Sequence, residues 1–115
     1  MTHTRVALQI GHGTSLRRAD YTAAGRRAIE AALWRNSLSV GPAFGMAPEE
    51  MVIDAEVAVQ QPDAVDTEAL AGLFPYGQVT VRAVFGGLDI AKLDGDGVTV
   101  VANAAVTVSL PVGRL

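Results

Sequence analysis

The amino-acid sequence predicts an α+β fold of order β-α-β-α-β-β, with a single mixed four-stranded sheet and two helices on one face. Four segments alternate apolar and polar side chains, as strands do, and two others place apolar residues three and four apart, as helices do. No repeat or linker divides the 115 residues, so we expect a single α+β domain over 1–115. Two helices followed by a closing pair of strands favour a mixed sheet.

The first strand is predicted in TRVALQIG, where Val6, Leu8 and Ile10 share one face and Arg5 and Ala7 share the other. The segment after it, GHGTSLRRA, combines two glycines with short polar residues and is predicted to be a loop between the strand and a helix.

The first helix is predicted to begin after Asp20, which can cap it, and to run to about Leu38. Ala24, Ala28 and Ala32 recur at helical spacing and form a face of small residues. Such a face suits close packing on a sheet.

The later elements follow the same periodicities. Apolar residues at alternate positions from Met51 to Val59 predict the second strand, and QPDAVDTEALAGLFP predicts a short helix from about Asp66. GQVTVRAVF predicts the third strand and GGLDIAKLDGDG a connection rich in turn formers. In the fourth strand, VTVVANAAVTVSL, every even position from Val98 to Leu110 is apolar.

The sheet face away from the helices has a mixed composition. Ala7, Val101 and Ala105 are predicted to lie there among glutamine, threonine and asparagine side chains. This face is too apolar for full solvation and too polar for a dry core, which favours a subunit interface and a homo-oligomer.

Composition limits the classes of function. Hydrophobic residues make up 50% of the chain and charged residues 18%, which is typical of a folded domain. A net charge of -3 argues against nucleic acid as a partner, and no stretch predicts a signal peptide or membrane span. The absence of cysteine fits a cytoplasmic protein. No cofactor is predicted.

The GHGTSLRRAD segment is the main candidate for a ligand site, and two interpretations remain open. Glycines before a helix expose backbone N–H groups, and hydroxyl and guanidinium groups add donors for an anion. The residues that would contribute are Gly11, Gly13, Thr14, Ser15, Arg17 and Arg18. The alternative is a glycine turn with solvated arginines.

Other polar residues carry weaker predictions. His12 is either an acid or base near neutral pH or an ordinary loop residue. Tyr76 and Arg82 are predicted to line the same cleft as the glycine segment if the fold analogy given below holds. Asn103 interrupts an apolar strand and is either a sheet-fixing amide or a ligand contact.

Asp54 and Glu56 lie on the same predicted strand face. Two neighbouring carboxylates can share acid–base work, or they can pair with Arg5 or Arg82 across the sheet. The two histidines lack the spacing of metal ligands, so no metal site is predicted.

Five blocks, among them IGHGT, DYTAAGRRAIEAAL, PYGQV and ANAAV, resemble in order and spacing a small family of conserved hypothetical proteins named after a listerial locus. The family signature is G-x-G-x-D-x-H-G. Gly11 and Gly13 match it, whereas Ser15 replaces its Asp, Arg17 its His and Arg18 its last Gly. An acid–base or metal role of that signature therefore does not transfer to this chain.

The element order is also similar to that of trimeric chorismate mutases and reactive-intermediate deaminases. More weakly, the first half resembles one repeat of ring-opening amidohydrolases. The first two resemblances imply a chorismate-mutase-like trimer with ligand clefts between subunits. The expected function is binding of a small anionic or cyclic-amide metabolite in such a cleft. The alternatives are an enzyme related to these families and a non-catalytic assembly module.

Overall fold

The computed structural model describes residues 3–16, 19–33, 45, 47–93 and 95–111. This part of the chain forms one mixed sheet of five strands with two α-helices. The strands are β1 (Thr4–Ser15), β2 (Val52–Val59), β3 (Gln78–Phe85), β4 (Leu88–Ala91) and β5 (Val98–Leu110), and the helices are α1 (Tyr21–Leu33) and α2 (Thr67–Ala71). The predicted α+β class is confirmed, and the sheet has one strand more than predicted.

The strand order is β1-β5-β2-β3, and β4 pairs with β5 outside this path. Strand β5 is antiparallel to β1, β2 and β4, whereas β2 and β3 are parallel. The extra strand β4 lies in the segment predicted as a connection. It forms because β2 pairs with residues 103–109 of β5 and leaves the edge of residues 98–101 for another strand.

The core lies between α1, α2 and the face of the sheet that they cover, called here the inner face. Alternate residues of β2 from Ile53 to Val59, and even-numbered residues of β5 from Val100 to Leu110, are buried there as their periodicity predicts. The opposite face is called the outer face.

Strand β1 differs from the sequence prediction in two ways. The strand continues through Ser15, so the predicted glycine loop is wrong for residues 11–15. A bulge between Arg5 and Ala7 also shifts the alternation by one residue. Ala7 therefore packs toward the core, whereas Leu8 and Ile10 lie on the outer face, so the predicted face is wrong for all three residues.

The predicted cap of the first helix is present, and the second helix, predicted to start at about Asp66, is capped in the same way. The Ala23 N–H donates to Asp20 Oδ1 (2.9 Å) at the start of α1, and the Ala69 N–H donates to Asp66 Oδ1 (3.0 Å) at the start of α2. The predicted extension of the first helix to about Leu38 lies outside the described residues.

Candidate functional site

The two glycines of the N-terminal motif lie beneath α1. A Cβ atom built on Gly13 lies 2.5 Å from both the Ala24 carbonyl oxygen and the Ala28 backbone nitrogen, and one built on Gly11 overlaps the Ala28 and Ala32 backbones. Both glycines are buried on the inner face. Their role in this chain is to let the small-residue face of α1 approach the strand backbone closely.

The chain does not bring all the predicted ligand residues together. Because side chains alternate along a strand, Gly11, Gly13 and Ser15 face α1, while His12 and Thr14 are exposed on the outer face. Arg17 and Arg18 lie outside the described residues.

The remaining predicted residues lie elsewhere on the sheet. Asn103 pairs with His12 across β1 and β5, and its side chain is exposed on the outer face. Arg82 is on the outer face of β3, two strands away from β5. Tyr76 precedes β3, at the end of the sheet opposite Ser15, and therefore does not share a cleft with the glycine motif within one subunit.

A cleft of about 620 Å³ opens where β1 ends and α1 begins. This is within the size range of small-molecule sites, roughly 300–1,000 Å³. Its walls combine two guanidinium groups, two hydroxyl groups and one carboxylate with two apolar side chains. The lining residues are Thr14, Ser15, Leu16, Asp20, Ala23, Arg26 and Arg27.

Local hydrogen bonds shape this cleft. The Asp20 N–H donates to Ser15 Oγ (3.1 Å), and Arg27 Nη1 donates to the Thr14 carbonyl oxygen (2.5 Å). The Asp20 carboxylate accepts the Ala23 N–H as the helix cap. The cap adds negative charge at the helix terminus, so an anion here relies on the guanidinium groups more than on the helix dipole.

Sequence reasoning missed Arg26 and Arg27 as site residues because their helical positions indicated a solvent-facing surface. Both are exposed, as that pattern predicts, but they also line the cleft. The sequence feature that could have identified them is their short distance from the start of the helix. They follow the cap Asp20 by less than two turns, which keeps their long side chains within reach of the helix terminus.

A polar contact between α1 and β4 was also missed. The Tyr21 hydroxyl donates to Asp89 Oδ2 (2.5 Å), and Asp89 Oδ1 is buried without a hydrogen-bond partner in the described part of the chain. The hydrogen bond to Asp89, then burial, and then the charge of Asp89 raise the pKa of Tyr21 above its usual value, against an opposing hydrogen bond from Gln61. Asp89 belongs to β4, which the sequence did not predict.

The carboxylates of β2 lie on the outer face, beside a second cleft of about 500 Å³. Arg82 Nη2 lies 2.8 Å from Glu56 Oε2, and both side chains are largely exposed. Of the two interpretations left open for Asp54 and Glu56, the structure supports cross-strand ion pairing for Glu56 with Arg82. Arg5, Leu8, Asp54, Glu56, Arg82, Ala105 and Thr107 line this cleft.

Two further features concern only the part of the chain that the structure describes. No group of three or more histidine, cysteine, aspartate or glutamate side chains is arranged to hold a metal ion there. No helix in the same residues is long and apolar enough to cross a membrane.

Comparison with known sequences identifies the family. The profile of the conserved hypothetical proteins designated Lin0512_fam matches residues 5–108. The chain belongs to this family. No protein with a curated description matches the chain significantly.

A solved structure has a closely similar fold. The chain is similar to an FtsZ-like protein of unknown function from Nostoc punctiforme PCC 73102, with 30% sequence identity and a TM-score of 0.84. The similarity covers 96% of this chain and 98% of the Nostoc chain. The structural resemblance to chorismate mutases stays a prediction.

The structure gives a physical reason for part of the Lin0512_fam signature as it stands here. Gly11 and Gly13 occupy strand positions where a helix leaves no room for a side chain. Ser15, in place of the signature Asp, is buried and holds the turn into α1 through the Asp20 amide. The two arginines that replace the signature His and last Gly lie in residues 17–18, outside the described part.

Proposed function

We propose that the protein binds a small anionic metabolite, recognised through a carboxylate or phosphate group, in the cleft between the end of β1 and the start of α1. The proposal rests on the residues that line this cleft. Arg26 and Arg27 supply two guanidinium groups and Thr14 and Ser15 supply hydroxyl groups around a volume of about 620 Å³. Guanidinium groups bind carboxylate and phosphate oxygens in bidentate geometry.

Charge within the cleft favours an anion. Among the residues that the structure describes, two arginines line it against one carboxylate, that of Asp20. Asp20 also makes a cyclic amide the second ligand class to test, because a carboxylate can accept an amide N–H while a guanidinium donates to the amide carbonyl. Arg17 and Arg18 remain predicted anion contacts.

The position of the cleft is consistent with a site beside a subunit boundary. Thr14 lines the cleft and is also exposed on the outer face of the sheet. A second subunit on that face would therefore lie next to the ligand. Binding is proposed rather than catalysis, because the Ser15 hydroxyl oxygen accepts the Asp20 N–H and no lysine lines the cleft.

Calorimetric titration with phosphate, citrate and a cyclic ureide tests the proposal. We expect an anion to bind the unaltered chain and Arg26→Gln to weaken that binding up to about tenfold, the equivalent of roughly 1.4 kcal/mol. Asp20→Asn should strengthen anion binding, because it removes the opposing charge while asparagine still caps the helix.

Lys92→Gln is the matched control, since Lys92 is a cationic residue that lines neither cleft. The proposal is wrong if neither anion binds, or if Arg26→Gln and Lys92→Gln change the affinity equally. Tighter binding of the ureide than of either anion would instead identify the cyclic-amide class.

A further inference from the structure

The outer face of the sheet exposes a group of large aliphatic side chains. Leu8 (48% exposed), Ile10 (56%), Leu88 (58%) and Ile90 (50%) all lie there, whereas the aliphatic side chains of β2 and β5 on the inner face are buried. In the register, Ile10 is beside Ala105 and Leu88 is beside Val101. No described helix covers this face. The exposed His12 and Asn103 lie between the pair on β1 and the pair on β4. Large aliphatic side chains exposed on an uncovered sheet face usually mark an interaction surface.

We infer that the outer face binds a second copy of this chain. The partner choice rests first on charge. Around the second cleft, the face carries two arginines, Arg5 and Arg82, and two carboxylates, Asp54 and Glu56. Arg82 and Glu56 already pair within the subunit, so Arg5 and Asp54 are the charges that a partner has to match. A copy of the chain presents both signs and can match them, whereas a partner of one charge sign leaves one of the two without a counterpart.

The size of the face also suits a homo-oligomer. Four strands spaced about 4.8 Å apart and roughly eight paired residues long give a flat area of about 500 Å². The uneven surface of the side chains and the extra strand β4 increase this area. A standard interface takes about 800 Å² from each partner. The face is therefore of the order that one stable contact needs.

The contact has a consequence for the second cleft. It opens on the outer face between β1 and β3, so a second copy seated there encloses its charged side chains between subunits. Enclosure strengthens charge pairing because the local dielectric falls. This inference does not rest on the proposed ligand, whose cleft is lined mainly by residues of α1 and the end of β1.

Sedimentation equilibrium tests the inference on the full chain at micromolar concentration. We expect a mass of two or three times 12.0 kDa for the unaltered protein. Ile10→Lys and Leu88→Lys place a charge in the contact and should each weaken association by about tenfold or more. Both positions are already half exposed, so the fold should survive, as circular dichroism can verify.

Leu93→Lys is the matched control, because Leu93 is a fully exposed leucine in the turn after β4 and not part of the outer face. It should associate like the unaltered chain. The charge argument has its own test: Arg5→Glu or Asp54→Arg alone should weaken association, and the two together should restore part of it. A monomeric unaltered chain, or an oligomer unaffected by both outer-face lysines, overturns the inference.

Discussion

Gly13→Ala tests whether the glycine motif serves helix packing. The added Cβ atom lies 2.5 Å from two backbone atoms of α1, where ordinary contact is 3.4–4 Å. Neither atom belongs to a flexible side chain, so the helix itself must move by about 1 Å, and overpacking of this kind costs roughly 1–3 kcal/mol. The lower entropy of the unfolded alanine variant offsets about 0.4–1 kcal/mol.

We therefore expect Gly13→Ala to lower the free energy of unfolding by about 1.3 kcal/mol. For a chain of this length that corresponds to a fall in Tm of roughly 5 °C. Urea unfolding and thermal scans at one fixed protein concentration measure it, since self-association otherwise shifts the apparent stability.

Gly72→Ala is the control, because Gly72 has a negative φ, is exposed, and its nearest neighbour to a new Cβ is the Ala69 carbonyl oxygen at 3.3 Å. Its stability should change by less than about 0.5 kcal/mol. Equal stability of Gly13→Ala and the unaltered chain would refute the packing explanation and indicate that the glycines serve another purpose, such as approach of a ligand to the backbone.

Two further predictions concern side-chain pairs. Tyr21→Phe removes the only described hydrogen bond to the Asp89 side chain and should cost about 1–3 kcal/mol at neutral pH. Because the pKa of Tyr21 is raised in the folded state, its contribution to the free energy of unfolding should persist up to about pH 10 and be lost as the pH rises further. Urea unfolding at pH 8–11.5 should therefore show a steeper alkaline loss of stability for the unaltered chain than for Tyr21→Phe. Equal slopes would contradict this. For the exposed Arg82–Glu56 pair, a double-mutant cycle with Arg82→Gln and Glu56→Gln should give a coupling free energy of about 0.2–1 kcal/mol that falls as salt is added. The cycle is measured in the Ile10→Lys background, in which association is weakened. A coupling above about 2 kcal/mol would contradict an exposed pair.

Much of the fold follows from local signals. The alternation in β2 and β5 predicts their buried residues because only one face of the sheet is covered by helices. Side chains alternate between the two faces of a strand, so only one register places all the apolar residues on the covered face. Asp20 caps the first helix as predicted, because a cap depends on residues within one turn. The alanine face of α1 predicts close packing, which the structure confirms.

The candidate cleft was only partly predictable. Thr14 and Ser15 were identified, but Arg26 and Arg27 have a helical spacing that indicates solvent, and their place in the cleft depends on how the helix lies over the strand. Asp89 was missed because four residues of β4 become a strand only through the free edge of β5.

The amino-acid sequence by itself determined the class of fold, the helix starts and the residues of the central core, since these depend on periodicity and on neighbours along the chain. The tertiary structure decided which side of β1 faces the core. Alternation alone favours Leu8 and Ile10 as one apolar face, yet α1 lies so close to the strand that only glycine fits at positions 11 and 13 of the inner face. Steric exclusion by the helix backbone therefore overrides the hydrophobic pattern and turns Leu8 and Ile10 toward the outer face.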